Sequence, residues 1–275
     1  MQSKMREEGN EVSISRLCDW FGLPRSSFYY RATGRPAAPL DTEIVAMVRN
    51  VIDEFPAYGL RRITAVVRSR VVAKINRKRI HRIIKTNGWQ IRQRPAGSRP
   101  RARGLRSVAS EPNTRWAIDA THVFCGTDGW CHLTAIIDCC DRRIVGWRLS
   151  RTGVAKIAAA ALEDGLMERG IQFGSHSLVL RSDNGLVFGA KAFVAVARRY
   201  GLNQEYITPY TPEQNGMIER WFRSLKEECL WLQRFATRDE AFTKIANWID
   251  EYHTRRPHSA LGYLTPAAFA AKIAA

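Results

Sequence analysis

A carboxylate in the middle of an apolar strand constrains this chain more than any other feature. Arg115-Trp116-Ala117-Ile118-Asp119-Ala120-Thr121 has strand composition, and burying Asp119 without a partner would be expensive. Its partner is either backbone amides and an arginine, in a purely structural strand, or a cation, in a functional one. A second acid, Asp183, closes a short apolar strand, Ser177 to Ser182, at Asp183-Asn184-Gly185, the kind of strand end where ligand sites gather in open sheets. A third, Glu219, follows after 35 intervening residues, on a predicted helix.

The pattern around these acids predicts the fold. From Glu111 onward the apolar period is strand-like, and Thr127-Asp128-Gly129 offers the positive φ angles of a tight turn. Trp130 to Cys139 and Arg143 to Leu149 continue as strands, which together make an antiparallel meander. An alanine-rich helix from Ala155 to Gly170, the buried strand before Asp183, a helix from Ala190 to Tyr200 and a strand from Gln204 to Thr208 follow. Meander first and strand-helix alternation second predict an α/β fold, a mixed sheet flanked by helices. Pro209 to Gly216 is a loop containing Tyr210, Gln214 and Asn215. On the helix after it, Ile218, Trp221, Phe222, Leu225 and Cys229 form an apolar stripe, and Glu219, Arg223 and Lys226 share the adjoining face. A last helix spans Asp239 to His253, and Arg255 to Tyr263 is too irregular to continue it. Other acids are set aside: Asp128 serves its turn, Asp138 and Asp141 border strands, and Glu213, Glu227 and Glu228 are expected in solvent.

Ahead of the sheet the chain is helical. Ser13 to Arg31 reads as two short helices around Gly22, the second opened by Pro24, in the manner of a helix-turn-helix. A second unit runs from Asp41 to Trp89, with breaks at Pro56 and Gly59. Its last helix, expected to start at an Asn76 cap and stop at Gly88, keeps Ile80, Ile83 and Ile84 for the core. The remaining surface goes to Arg77, Lys78, Arg79, Arg82 and Lys85.

Charge points the same way. The chain carries 43 Lys and Arg against 26 Asp and Glu, a net +17, which favours a polyanionic partner because each neutralised phosphate releases condensed counterions. From Phe55 to Ser110 there are 16 Lys or Arg and no Asp or Glu, whereas an ordinary solvated face mixes signs. The end of that run, 95–110, interleaves glycine and proline with arginine and is expected to be a flexible basic linker that orders on DNA. No apolar run approaches the roughly 20 residues needed to span a bilayer, and a cytoplasmic location is expected. The six cysteines lack metal-site spacing and are expected to be reduced and buried.

Three acids suit phosphodiester chemistry. Two metal ions about 4 Å apart can activate the attacking oxygen, stabilise the leaving one and spread the phosphate charge, and hard ions such as magnesium need few ligands beyond carboxylates and water. The chain has neither a Gly-x-Ser-x-Gly elbow nor a P-loop.

These blocks carry a family likeness. Trp116 to Thr121, Arg181-Ser182-Asp183-Asn184-Gly185 and Asn215-Gly216-Met217-Ile218-Glu219-Arg220 resemble the three acid-bearing blocks of orfB-type insertion-sequence transposases, in the DDE superfamily of retroviral integrases. Lys226, Tyr58-Gly59-Leu60-Arg61-Arg62-Ile63 with Asn76 to Ile80, and Arg256-Pro257-His258-Ser259-Ala260-Leu261-Gly262-Tyr263 match further blocks, so the likeness spans nearly the whole chain. The resemblance implies a ribonuclease-H-like core that uses two Mg2+ ions, with Mn2+ able to substitute, held by Asp119, Asp183 and Glu219. It implies strand cleavage at the terminal inverted repeats of an element, transfer to target DNA, homo-oligomers on DNA, and a bacterial, nucleoid-associated setting. It also implies an upstream-frame product, fused or separate, whose zipper heptads do not occur in this sequence. The expected domains are 1–36, helix-turn-helix-like; 41–94, helical and DNA-binding; 95–110, linker; and 111–275, catalytic core with a helical extension. Arg61, Arg62, Arg77, Lys78, Arg79, Arg82, Lys85, Arg223 and Lys226 are the expected DNA contacts. A sequence-specific repressor with an inactive core is the alternative.

Overall fold

The computed structural model describes residues 12–30, 39–71, 75–91, 108–174, 177–209 and 211–274. Most of the expected linker, 95–107, and Tyr210 lie outside them. Contacts divide the chain into two units, one up to Thr42 and one from Glu43 onward.

In the first unit, α1 (Ile14–Trp20) and α2 (Arg25–Tyr29) flank the predicted bend. Ser13 caps α1 by accepting the Arg16 amide, and Gly22 takes φ +61°.

The second unit opens with α3 (Thr42–Glu54), α4 (Leu60–Arg70) and α5 (Arg77–Thr86). Val48, Val51, Ile63, Val67, Ile80 and Ile83 are buried, and the Asn76 side chain caps α5 by accepting the Lys78 amide at 2.9 Å. Gly88, at φ +68°, ends the helix as expected.

The sheet follows: β1 (Arg115–Phe124), β2 (Trp130–Asp138), β3 (Ile144–Ser150), β4 (Val179–Ser182) and β5 (Asn203–Tyr206). Its order is β3-β2-β1-β4-β5. The first three strands are the antiparallel meander, while β4 and β5 run parallel to β1. Between and after the strands come α6 (Ala155–Glu168), the short α7 (Leu186–Gly189), α8 (Lys191–Arg199), α9 (Gly216–Glu228), α10 (Arg238–Thr254) and α11 (Pro266–Ala274). The helices α7 and α11 were not anticipated: α7 is a single turn, too short for a periodic signal, and α11 is alanine-rich, which leaves no distinct stripe.

Strand alternation sorts the core into two layers. Trp116, Ile118 and Leu180 pack with α6 and α8 on one face, whereas Ala117, Ala135 and Ile137 pack with α9 and α10 on the other. Gly146 lets α6 lie directly on β3: a Cβ there would meet the Ala161 carbonyl oxygen at 2.2 Å. Asp138 and Asp141 do border strands, yet both are fully buried. Asp138 accepts the amides of Asn113 and Cys140 and the Trp116 indole, and Asp141 accepts from Arg143 and Arg169. All six cysteines are buried and free.

Two histidines make the fold acid-sensitive. His253 on α10 accepts the Ile144 amide through Nε2 at 2.8 Å, and burial, reinforced by Arg143 and Arg169, pushes its pKa down to about 4. Burial and four nearby arginines push His258 down to about 3. A histidine whose pKa is lower folded than unfolded contributes fully above its ordinary value of 6.5 and loses that contribution as pH falls toward the folded value. Denaturant midpoints are therefore expected to fall between pH 7 and pH 4.5, and His253→Gln is expected to flatten that fall.

Candidate active site

The sheet register brings the acids together. β1 and β4 pair Arg115 with Val179, Trp116 with Leu180 and Ala117 with Arg181. Continued two residues further, past the end of β4, the same register would set Asp119 level with Asp183, and Asp183 does act on the Asp119 carboxyl. Two residues is also one full pleat, so Asp119 shares the face of Ala117, which is the face covered by α9. Glu219 stands exposed in the first turn of α9.

Two buried side chains fix that arrangement. Asn215, only 2% exposed, donates from Nδ2 to the Ile118 carbonyl at 3.2 Å, pinning the start of α9 beside Asp119. Arg181, 3% exposed, grips Glu205 on β5 through two bonds of 3.1 and 3.0 Å and donates to the Gln214 carbonyl at 3.0 Å. Gln214 in turn accepts the Thr208 amide at 2.8 Å, folding the loop that precedes α9. Asn215 and Arg181 both lie in the motif blocks, but nothing in the linear sequence says that they brace the site and do not touch a substrate.

The electrostatics bear the marks of crowded acids. Burial pushes the Asp119 carboxyl up to about 7; the Ala120 amide, donating to Oδ1 at 2.7 Å, opposes this, Asp183 and Glu219 raise it further, and Lys226 lowers it. Asp183 accepts the Gly185 amide through Oδ1 at 2.9 Å, which shapes its turn. Among the described residues no three His, Cys, Asp or Glu side chains form a ready ligand cage. Asp183 and Glu219 both act on the carboxyl of Asp119, so the three acids share one field. Three hard oxygen donors, one of them costly to ionise unaided, suit a divalent ion of the magnesium type.

The predicted DNA contacts fall into two groups. Arg61, Arg77, Lys78, Arg79 and Lys85 are exposed, Arg82 is half-buried, and the α5 cations surround the buried isoleucine stripe as expected. Arg223 is exposed and paired with Glu227 at 2.9 Å, and Lys226 is half-buried. Arg62 is different: it turns inward to Glu228 at 2.9 Å and lies over Tyr58, 5.4 Å from the ring centre, and so does not stand on the open surface with the others. Glu228, expected in solvent, is instead largely buried, where it also accepts two bonds of 2.7 Å from Arg256. Lys226 lines a cavity of about 470 Å3 together with His122, Phe124, Trp130, Trp231 and Arg234. Phe124 and Trp130 oppose each other across the β1–β2 hairpin, an aromatic pair in the wall of that cavity that no motif announced.

Known proteins agree with this architecture. Residues 109–212 and 200–266 each match a family described as Integrase core domain, and residues 39–97 match an HTH-like domain. The chain is 29% identical over 262 residues to the transposase InsD for insertion element IS2A/D/F/H/I/K of Escherichia coli, which covers 93% of this chain and 84% of the relative. The transposase InsD for IS2-9 of Escherichia coli strain K12 matches at the same 29%, over 93% of this chain and 82% of its own. A chain of the simian T-cell lymphotropic virus intasome in complex with PP2A regulatory subunit B56 gamma shares the fold, with TM-score 0.50 at 15% identity over 80% of this chain and 73% of that one. Strand order, the integrase-core matches and the shared fold thus define a ribonuclease-H-like core. More particularly, the chain is similar over nearly its whole length to orfB-type insertion-sequence transposases, which InsD exemplifies. No helix among the described residues is long and apolar enough to cross a membrane.

Proposed function

We propose that Asp119, Asp183 and Glu219 are the catalytic acids and hold two divalent ions, magnesium with manganese able to substitute. The observation that carries this reading is the β1–β4 register, which extends to bring two carboxylates level on the face where α9 carries the third. Ions held there would activate the attacking oxygen, stabilise the leaving oxygen and spread the charge on the phosphate. The protein's own part is positional. Asn215 holds α9 against β1, Arg181 holds the preceding loop against β4 and β5, and Lys226 offers a cation next to the acids for the DNA backbone.

The reaction we assign is cleavage at the terminal inverted repeats of an insertion sequence, followed by attack of the freed 3' hydroxyl on a target phosphodiester. The exposed basic residues of α4 and α5 (Arg61, Arg77, Lys78, Arg79 and Lys85) and the half-buried Arg82 bind duplex DNA, and Arg223 and Lys226 bind near the scissile phosphate. On this reading the helical region 41–94 is the DNA-binding domain and 111–275 the catalytic core. The active form is a homo-oligomer, since two ends must be joined together, with or without an upstream-frame product. No observation favours the repressor alternative, because the chain keeps all three acids on one face. A magnesium-dependent cleavage and joining assay on cognate ends tests the reaction, and the appearance of joined products separates a transposase from a nuclease that only hydrolyses.

Metal binding should be strongly pH-dependent. Asp119 titrates near 7 when no cation faces it, and an ion competes with that proton. Manganese affinity, read from the metal-induced rise in melting temperature, is expected to fall roughly tenfold per pH unit below about 7 and to level off above it. The same dependence in Asp119→Asn would refute the assignment.

A further inference from the structure

Four arginines converge where no acid of the reaction stands. A cavity of about 300 Å3 opens on another flank of α9, lined by Arg220 and Ser224 of that helix, Arg62 of α4, Arg142 of the β2–β3 turn, and Arg256 and His258 of the C-terminal block. No carboxylate lines it. Glu228 answers Arg62 and Arg256 from behind. Among the described residues the side chains of Arg142 and Arg220 have neither an ion pair nor a hydrogen bond, and two buried donors facing this region, Arg142 Nε and Trp221 Nε1, lack an acceptor. His258 adds no charge, since burial and the arginines keep it neutral.

Such a site is unfinished as it stands. Guanidinium groups held close together repel, and buried donors without acceptors are costly. Both defects are removed by one small anion with several acceptor oxygens, which arginine forks bind through paired hydrogen bonds. Aliphatic or neutral ligands would leave the charge uncompensated, and a divalent cation would add to it. The surrounding elements matter as well: this cavity is where the helical region, the catalytic helix and the Arg256 to Tyr263 block all meet. The Arg256 to Tyr263 block was legible as a motif, but its role was not.

We infer that this cavity binds a phosphate oxyanion, supplied by the backbone of a DNA strand that is thereby gripped between the helical region and α9. The oxyanion chemistry stands on the cavity itself, whereas the DNA source rests on the transposase reading. One bound phosphate would tell the catalytic helix that DNA is seated on the helical region.

The full chain, with Arg142→Gln and Arg220→Gln, tests this in two arms. Inorganic phosphate is expected to raise the melting temperature of the unaltered chain by several degrees, and to do so much less in either variant. In phosphate-free buffer Arg220→Gln, an exposed position, is expected to melt no lower than the unaltered chain, because repulsion is relieved; a marked fall would mean that the arginine is structural and would overturn the proposal. With duplex DNA, each variant is expected to bind about tenfold more weakly, and the slope of log affinity against log salt to shrink by about one. Unchanged phosphate stabilisation in both variants overturns the site. Lost phosphate binding with unchanged DNA slope overturns the DNA source and leaves a free phosphate compound as the ligand. Failure of the unaltered chain to join DNA ends would sink the transposase reading, while the phosphate arm would still decide the cavity.

Discussion

Asp183→Asn is expected to lower strand cleavage and strand transfer by on the order of 10³-fold or more, about 4 kcal/mol of transition-state stabilisation, with DNA binding kept. The substitution preserves the shape of the turn, since an amide oxygen can still accept the Gly185 amide that Asp183 Oδ1 now accepts at 2.9 Å. What it removes is one negative charge of three, and with it the affinity of the site for hard cations. Asp119→Asn and Glu219→Gln should fall equally far and combine with Asp183→Asn far less than additively, as groups acting as a unit do. Loss of the Asp119 charge should also leave the apo fold at least as stable near neutral pH, because Asp119 is held protonated up to about 7. The decisive comparison is a cleavage assay run beside a DNA-binding titration. Full activity in Asp183→Asn would remove the acids from the mechanism, and joint loss of binding and cleavage would point to a folding defect.

Glu228→Ala is expected to destabilise the protein by about 3–5 kcal/mol, because it leaves two guanidinium groups in a largely buried site without their carboxylate. For a chain of this size that corresponds to a fall in melting temperature of about 10 °C. Glu228 receives Arg62 at 2.9 Å and both forks of Arg256 at 2.7 Å, and Arg256 reaches Ser224 at 3.1 Å as well. Arg62 belongs to α4, Glu228 to the end of α9, and Arg256 to the irregular segment after α10. One carboxylate therefore ties three distant stretches together. Removing Arg62 alone should cost less, since its side chain remains a quarter exposed and water can replace part of the pair. Equal melting temperatures for the unaltered chain and Glu228→Ala would show that the network contributes nothing net.

Most of the elements were legible because each has a strong period or a hard stop. The meander, the Ala155 helix, α9 with its apolar stripe and the Gly88 terminus all formed within a few residues of their expected limits. Strand ends drifted: β4 and β5 are each four residues long, shorter than the apolar runs that predicted them. The three acids could be chosen because a mid-strand aspartate is costly and because the family blocks single them out. Their common face could not be read, since it depends on the β1–β4 register, and that register joins residues 64 positions apart.

Charge shows the same division between the local and the distant. The run without acids from Phe55 to Ser110 was a sound guide to the surface of α5, where the isoleucines go inward and the cations outward. It could not show that Arg62, one cation among many in that run, pairs with Glu228, because that partner lies 166 residues away on another element. Glu228 was misjudged for the same reason. A glutamate near the end of an amphipathic helix reads as solvated, and nothing adjacent reveals that two arginines will be folded over it.

The sequence by itself determined which residues could do the chemistry and which local structures carry them: hydrophobic period, capping residues and the cost of a buried carboxylate all act within a dozen residues. Only the tertiary structure decided which of those residues meet. Packing brought Asp119 into the field of Asp183 and Glu219, used Asn215 to pin the start of α9 to β1, drew Arg62 and Arg256 onto Glu228 and gathered four arginines around one cavity. Such meetings depend on sheet register and on contacts between elements far apart in the chain, and their free energy comes from burial and charge pairing that exist only once the core has closed.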